Sequence, residues 1–333
     1  MSVSRSALQS AAASFLSSGG PIAWEAESAQ RVAALVRSFQ SGELDASGLR
    51  AALAGDRRAA PRPTPTKTTA LLSLSGILTP DESLFTMLGV GTSVRHFTRE
   101  LAAAAANRAV QSIVILCDSP GGSVRLLPEA ATVMRSARMH KPIVVAVAGL
   151  AASAAYHIVS NATAIEATSS ASIGAIGVIT ERVSVARQLE REGIDVHVFA
   201  AGKHKAEGHE ATAISGPERQ HIQARVDAAY TDFVNDVAAG RHVPASTVRA
   251  GFGEGRLVTA AEALRLGMID RVAPVEETIG RAVSAPAELA AWHLQRAELA
   301  RVALAPRRGE HARAELAERR RELIAAARGT VTR

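Results

Sequence analysis

Pro142 to Tyr156 reads P-I-V-V-A-V-A-G-L-A-A-S-A-A-Y, an apolar run to Leu150 followed by small residues that open a helix-like pattern reaching Asn161. Ser153 therefore stands where a strand gives way to a helix. The unpaired backbone N–H groups of a helix start can hold a developing oxyanion, and that placement suits a nucleophile. Working outward, apolar β-like runs recur at Ala70 to Leu78, Ser112 to Cys117, Ala164 to Ala167 and Val196 to Ala200. Helical patterns lie between them at Ser93 to Asn107, Val124 to Arg138, Ala154 to Asn161 and Val183 to Glu192. Such alternation predicts an α/β fold made of βαβ units.

Two further segments bear on Ser153. Asp118-Ser119-Pro120-Gly121-Gly122 begins 35 residues upstream (153 − 118 = 35) and ends the run Ser112 to Cys117 with glycines whose backbone can approach a substrate closely. Gly202-Lys203-His204-Lys205 ends 52 residues downstream (205 − 153 = 52) and supplies amines. A serine hydroxyl attacks poorly at neutral pH unless a base takes its proton. Lys205 and Lys203, two residues apart, are candidate bases that spacing alone does not separate; a lysine must be neutral to act, which burial favours. A histidine base is the alternative. His157, four residues after Ser153, lies one turn along the helix and is poorly aimed at a hydroxyl at its start, whereas His204 and His209 can instead order the loop. The blander readings are an ordinary helix N-cap for Ser153, a tight turn for the glycines and a solvated loop lysine for Lys205.

In order and spacing, D-S-P-G-G, A-S-A-A-Y and G-K-H-K resemble the Ser/Lys peptidases of the signal peptide peptidase A family, over roughly Thr69 to Val275. Within that family D-S-P-G-G, S-A-A-Y and H-K followed by Gly208-His209-Glu210 are most similar to the phage head-maturation proteases. The resemblance implies the spiral β-α superhelix of the Clp peptidase and crotonase type. It implies Ser153 as nucleophile, Lys205 as base, and an oxyanion site at Ala154 and Gly122, with Gly121 as the close alternative. Ser172-Ile173-Gly174 resembles a segment beside the substrate cleft, where Ser172 would lend a hydrogen bond to the lysine. No cofactor is implied.

The phage resemblance further implies capsid, scaffold or portal proteins as substrates, a homo-oligomer in which serine and lysine come from neighbouring subunits, and action inside a procapsid in the host cytoplasm. The rivals are a peptidase that degrades cleaved signal peptides in a bacterial cytoplasm, and a non-proteolytic crotonase-type enzyme or scaffold on the same fold. Ala154 and Ala155 stand where signal peptide peptidases have glycines, which narrows the space around the nucleophile and bears on substrate preference.

Composition sets bounds around this reading. With 47% hydrophobic residues in 333, the chain can bury a sizeable core, while 3% aromatics leave little for the base-stacking platforms of single-strand nucleic-acid binders. The single cysteine, Cys117, excludes an intrachain disulfide framework and reads as a buried strand residue. His204, His209 and Glu210 match no standard metal-ligand spacing, so no metal is expected. Ser2 to Leu16 makes a poor signal peptide, and no run reaches the roughly 18 apolar residues of a membrane anchor.

Four regions follow. Residues 1–55 form a helical arm, with patterns at Ala26 to Phe39 and Ala46 to Leu53; 56–67, rich in Pro, are a linker; 68–281 are the peptidase domain; and 282–333 are a helical basic tail. From Pro286 onward ten Arg face six Glu, which places +4 of the formal +6 in that tail. Its Leu289, Trp292, Leu299 and Val302 share a face, and Leu316 and Leu323 lie seven apart, as in helices that bind partner helices. Within the body, S/T-x-x-E boxes at Ser215–Glu218 and Thr259–Glu262 predict helix starts, and Gly267 predicts a helix end before a last strand.

Overall fold

The computed structural model describes residues 69–289 throughout, together with Ile22–Trp24 and scattered positions from 34 to 52 and from 291 to 298. The expected linker at 56–67 and the tail beyond 298 lie outside the described residues. In chain order the elements are β1 (Ile22–Trp24), β2 (Thr69–Thr79), α1 (Leu84–Met87), β3 (Gly91–Ser93), α2 (Val94–Ala106), β4 (Ser112–Ser123), α3 (Leu127–His140) and β5 (Ile143–Ala152). They continue with α4 (Ala154–Val159), β6 (Ala164–Ala167), β7 (Ser172–Gly174), α5 (Ala186–Arg191), α6 (Gly216–Arg241), α7 (Ala245–Gly251), β8 (Leu257–Thr259), α8 (Ala260–Leu266), β9 (Arg271–Val272) and α9 (Val275–Ser284).

The protein is the α/β type the alternation predicts. The main path of the sheet runs β3-β2-β4-β5-β6-β9, with every pair on it parallel. Its central strands are apolar without a break because both faces are covered. Ile113, Ile115 and Cys117 of β4 and Ile143, Val145 and Val147 of β5 face one way, into a core closed by α2, α3, α4 and α6 through Phe97, Leu101, Met134, Ile158 and Phe233. The residues between them, Val114, Val144, Ala146 and Ala164, face the other way, onto Ala282 of α9. This is the two-residue period of a strand applied to two cores. Cys117 is buried in the larger core, where desolvation pushes its thiol pKa up, so it packs as an apolar residue.

The local punctuation holds. Ser215 accepts from the Glu218 N–H in a reciprocal capping box at the start of α6, Thr259 accepts from the Glu262 N–H at α8, and Gly267 ends α8 with φ 78°. Two expectations fail. Val196 to Ala200 is not a strand: it has no partner edge among the described residues, and a strand without one has no acceptor for its N–H groups. Asp118 to Gly122 is not a turn after a strand but the end of the strand itself, because Gly121 and Gly122 continue to pair with Ile77 and Leu78 of β2. Gly122 is required there: a Cβ on it would lie 1.9 Å from the Leu78 carbonyl oxygen. We expect Gly122→Ala to destabilise the fold by roughly 3 kcal/mol, as overpacking against backbone does, with the shift in urea midpoint as the measurement.

Candidate active site

Ser153 follows the last residue of β5 and caps α4, with φ 54° and ψ −119°. That conformation suits glycine, and holding a serine in it costs about 1–3 kcal/mol, which persists only where the surroundings over-determine it. Here they do. Ala151 pairs with Ser119 of β4 and with Ile173 of β7, and Ala152 pairs with Gly174. The Ser153 N–H donates to the Gly174 carbonyl at 2.7 Å, and the Ser153 carbonyl accepts from the His157 N–H at 2.9 Å. Both backbone groups are thus tied while the hydroxyl is left over. Its Oγ is buried and has no hydrogen-bond partner among the described residues. A buried polar atom without a partner is costly and uncommon, and at a strained strand-to-helix junction it marks a site held ready for something else.

The residues expected beside it divide into two groups. Ala154 is the first residue of α4, and its N–H belongs to the turn that a helix leaves without an internal acceptor. Gly121 and Gly122 lie on the adjacent strand, and Ser172, Ile173 and Gly174 make up β7 on the other side of β5. Ser119, buried, donates to the Gly76 carbonyl at 2.6 Å and accepts from the Gly121 N–H at 3.2 Å. The Gly121 amide is therefore engaged, and Gly122 is paired with Leu78 of β2 and with Ala23 of β1.

Lys205 stands apart. It is exposed, in a turn closed by its own N–H donating to the Gly202 carbonyl at 3.1 Å, with Gly202 at φ 101°. No hydrogen bond joins it to Ser153 or to Ser172 among the described residues, and Lys203 is exposed as well. The expected burial of the amine is not provided by its own chain. The loop is nonetheless anchored. Glu218, buried at the start of α6, accepts from the Gly208 N–H at 3.0 Å and from Arg182 Nε at 3.0 Å, and Arg182 Nη2 donates to the His209 carbonyl at 2.6 Å. Burial works against the Glu218 charge, but Arg182 and the Ser215 and Gly208 amides outweigh it and hold its pKa below the ordinary value. The capping box signalled Glu218 as a helix start; nothing in the sequence signalled its hold on the lysine loop. His204 bonds Glu207 and His209 accepts from the Ala211 N–H, so both order the loop.

The groove beside this loop is lined by charged side chains, Glu181, Arg182, Glu207 and Arg225 among them, while the chain just before it exposes several apolar ones. Ile194, Val196 and Val198 are more than a third exposed, Phe199 is 94% exposed, and α5 has no buried residue.

His157 is buried behind the nucleophile and is no free base. Its Nε2 bonds Asp236 at 2.8 Å, its ring stacks on Phe233 at 4.5 Å, and Asp236 also accepts from Arg135 at 2.7 Å. Burial pushes the His157 pKa down against the raising effect of Asp236. At Asp236 burial opposes ionisation, but the hydrogen bonds of His157 and Arg135 prevail and hold its pKa below the usual range. The two shifts act in the same direction. As pH falls below about 6.5 the unfolded histidine gains a proton that the folded one resists, and further down the folded aspartate holds its charge after the unfolded one has lost it. Stability should therefore be complete above pH 7 and decline in two stages in acid. His157→Phe should remove the first stage, readable as urea midpoint against pH; a parent-like decline from pH 6.5 in that variant would refute the assignment.

Among the described residues no group of three or more His, Cys, Asp or Glu is placed to hold a metal ion, and no helix is long and apolar enough to cross a membrane. The matches with known proteins are to peptidase families and to proteins named as proteases. Residues 135–288 match the model of peptidase family S49, and residues 73–191 match that of the Clp protease. The chain is similar to a putative protease of Methanocaldococcus jannaschii, 29% identical over 51% of this chain and 54% of that protein. It is 28% identical to a putative signal peptide peptidase of Enterococcus faecium, over 62% of this chain and 60% of that one. A head-tail preconnector protein of Enterobacteria phage P21 is 33% identical over 40% of this chain and 27% of its own length. The chain thus spans little more than half the length of the longer-matching relatives, and less of the phage protein.

Proposed function

We propose that this protein is a serine endopeptidase in which Ser153 attacks the scissile carbonyl, the Gly122 and Ala154 N–H groups receive the oxyanion, and Lys205 of a neighbouring copy takes the serine proton. The observation that carries the reading is the Ser153 hydroxyl, buried, partnerless and held at φ 54° where β5 meets α4. Attack by Oγ gives a tetrahedral intermediate; its collapse expels the amine, which takes the proton from the lysine and leaves an acyl-enzyme that water hydrolyses. The exposed Lys205 and the apolar surface around Phe199 support donation between copies, since docking of that surface would bury the amine as a neutral base requires. Labelling by a serine-directed phosphonate tests the nucleophile: mass spectrometry should find the adduct on Ser153, and an unlabelled serine or an adduct elsewhere refutes it.

For substrates we favour capsid, scaffold or portal proteins cleaved within a phage shell, a reading supported by the D-S-P-G-G and S-A-A-Y sequences and by the similarity to the phage preconnector protein. The basic C-terminal sequence, with ten Arg against six Glu from Pro286 onward, would then dock on shell or scaffold components. The longer match to the putative signal peptide peptidase favours a second reading, degradation of cleaved signal peptides. Side-by-side cleavage of a hydrophobic signal-peptide substrate and of co-expressed scaffold protein separates the two.

A further inference from the structure

β4 ends beside the nucleophile with an edge that an additional strand can use. Over Gly121 and Gly122 one edge is held by Ile77 and Leu78 of β2. The other edge is held by β5 only as far as the pair Ser119–Ala151, because the chain then turns at Ser153 into α4. Continuing that register by two residues would set Ser153 opposite Gly121. β1 occupies this vacated lane: Ile22, Ala23 and Trp24 run antiparallel to β4 opposite Ser123, Gly122 and Gly121. A strand has two edges, so Ile22–Trp24 can lie only on the one facing the end of β5.

An extended peptide added there would pair with the same glycine backbone that serves the oxyanion, as in strand addition. Ser153 has no exposed surface, so a substrate reaches it only when something covering it withdraws. We propose that Ile22–Trp24 is a built-in competitor that fills the substrate strand of its own chain, and that peptide substrates must displace it. The inference rests on the peptidase reading above and concerns the regulation of that same site. A competent state that is only partly populated weakens apparent affinity by the fraction populated, so release of the segment should raise kcat/KM chiefly by lowering KM.

Adjacent N–H groups of a strand point to opposite sides, so the double variant Ile22→Pro, Ala23→Pro in the full chain removes one donor facing β4 whichever way the strand is set. Two readouts apply. Hydrogen exchange at the one of the Gly122 and Ser123 amides that faces β1 needs no activity and should speed up at least tenfold, while KM for a fluorogenic peptide should fall about tenfold. A synthetic peptide of residues 18–28 should inhibit the double variant competitively, and a scrambled one should not. Unchanged exchange in the double variant overturns the seating of β1. Faster exchange with unchanged KM, or no inhibition by the peptide, overturns the competition. Absence of phosphonate labelling in both proteins counts against the peptidase reading instead, and the exchange result still decides where β1 lies.

Discussion

Ser153→Ala is expected to lower peptide hydrolysis by roughly 10⁴- to 10⁶-fold, the scale on which removal of a serine nucleophile acts. The fold should survive, because the neighbouring Ala152 and Ala154 already pack small side chains at full burial. Ser153→Gly offers a sharper form of the same test. Glycine accepts φ 54° without strain, so that variant should be as inactive as Ser153→Ala yet more stable than the parent by about 1 kcal/mol. Turnover of a fluorogenic peptide and urea denaturation give both numbers. Parent-like turnover in Ser153→Ala would end the nucleophile assignment, and a loss of stability in Ser153→Gly would show that the backbone there is not strained.

Lys205→Ala should be nearly as damaging, since members of one catalytic unit are strongly non-additive, and Lys203→Ala should be mild. The exposed position of Lys205 makes a second measurement decisive. Each of Ser153→Ala and Lys205→Ala retains what the other lacks, so co-expression should restore activity if serine and lysine meet between copies. In a closed ring with random mixing about a quarter of the junctions pair an intact serine with an intact lysine. Recovery near that level supports exchange between copies, whereas none, with each variant assembled, places the base in the same chain as the serine. Loss in Lys203→Ala with full activity in Lys205→Ala would reverse the choice of lysine.

Much of the fold was legible because its cause is local. Ile113 to Cys117 and Ile143 to Val147 are unbroken apolar runs, and a parallel strand covered on both faces needs them. Capping at Ser215 and Thr259 and the stop at Gly267 lie within a few residues of their effects. What escaped depends on distant partners. Asp236 meets His157 across 79 positions, and no motif joins them. Gly121 and Gly122 read as a turn because glycine so often marks one; only the Leu78 backbone, brought against them by β2, makes them strand residues. The three residues of β1 are too few for any period to register. Val196 to Ala200 has the pattern of a strand and lacks the edge that would complete it. Of the candidate site, the strand-to-helix junction at Ser153 was legible from the apolar run and the small residues after it. The exposure of the Lys205 loop was not, because spacing says nothing about what covers a loop.

The helix α9 has a consequence for how the protein is made. It is a cover for the second face of the sheet: Ala282 packs onto Val114, Val144 and Ala146, and its carbonyl accepts from Ser112 Oγ at 2.7 Å across 170 positions. A ribosome delivers β4, β5 and β6 well before it delivers residues 275–284. During that interval the far face of the three strands is apolar and bare, and transiently bare sheet is where nascent chains associate wrongly. Any truncation upstream of Val275 would make the interval permanent, so fragments ending there should accumulate as aggregates even where they keep Ser153 and Lys205.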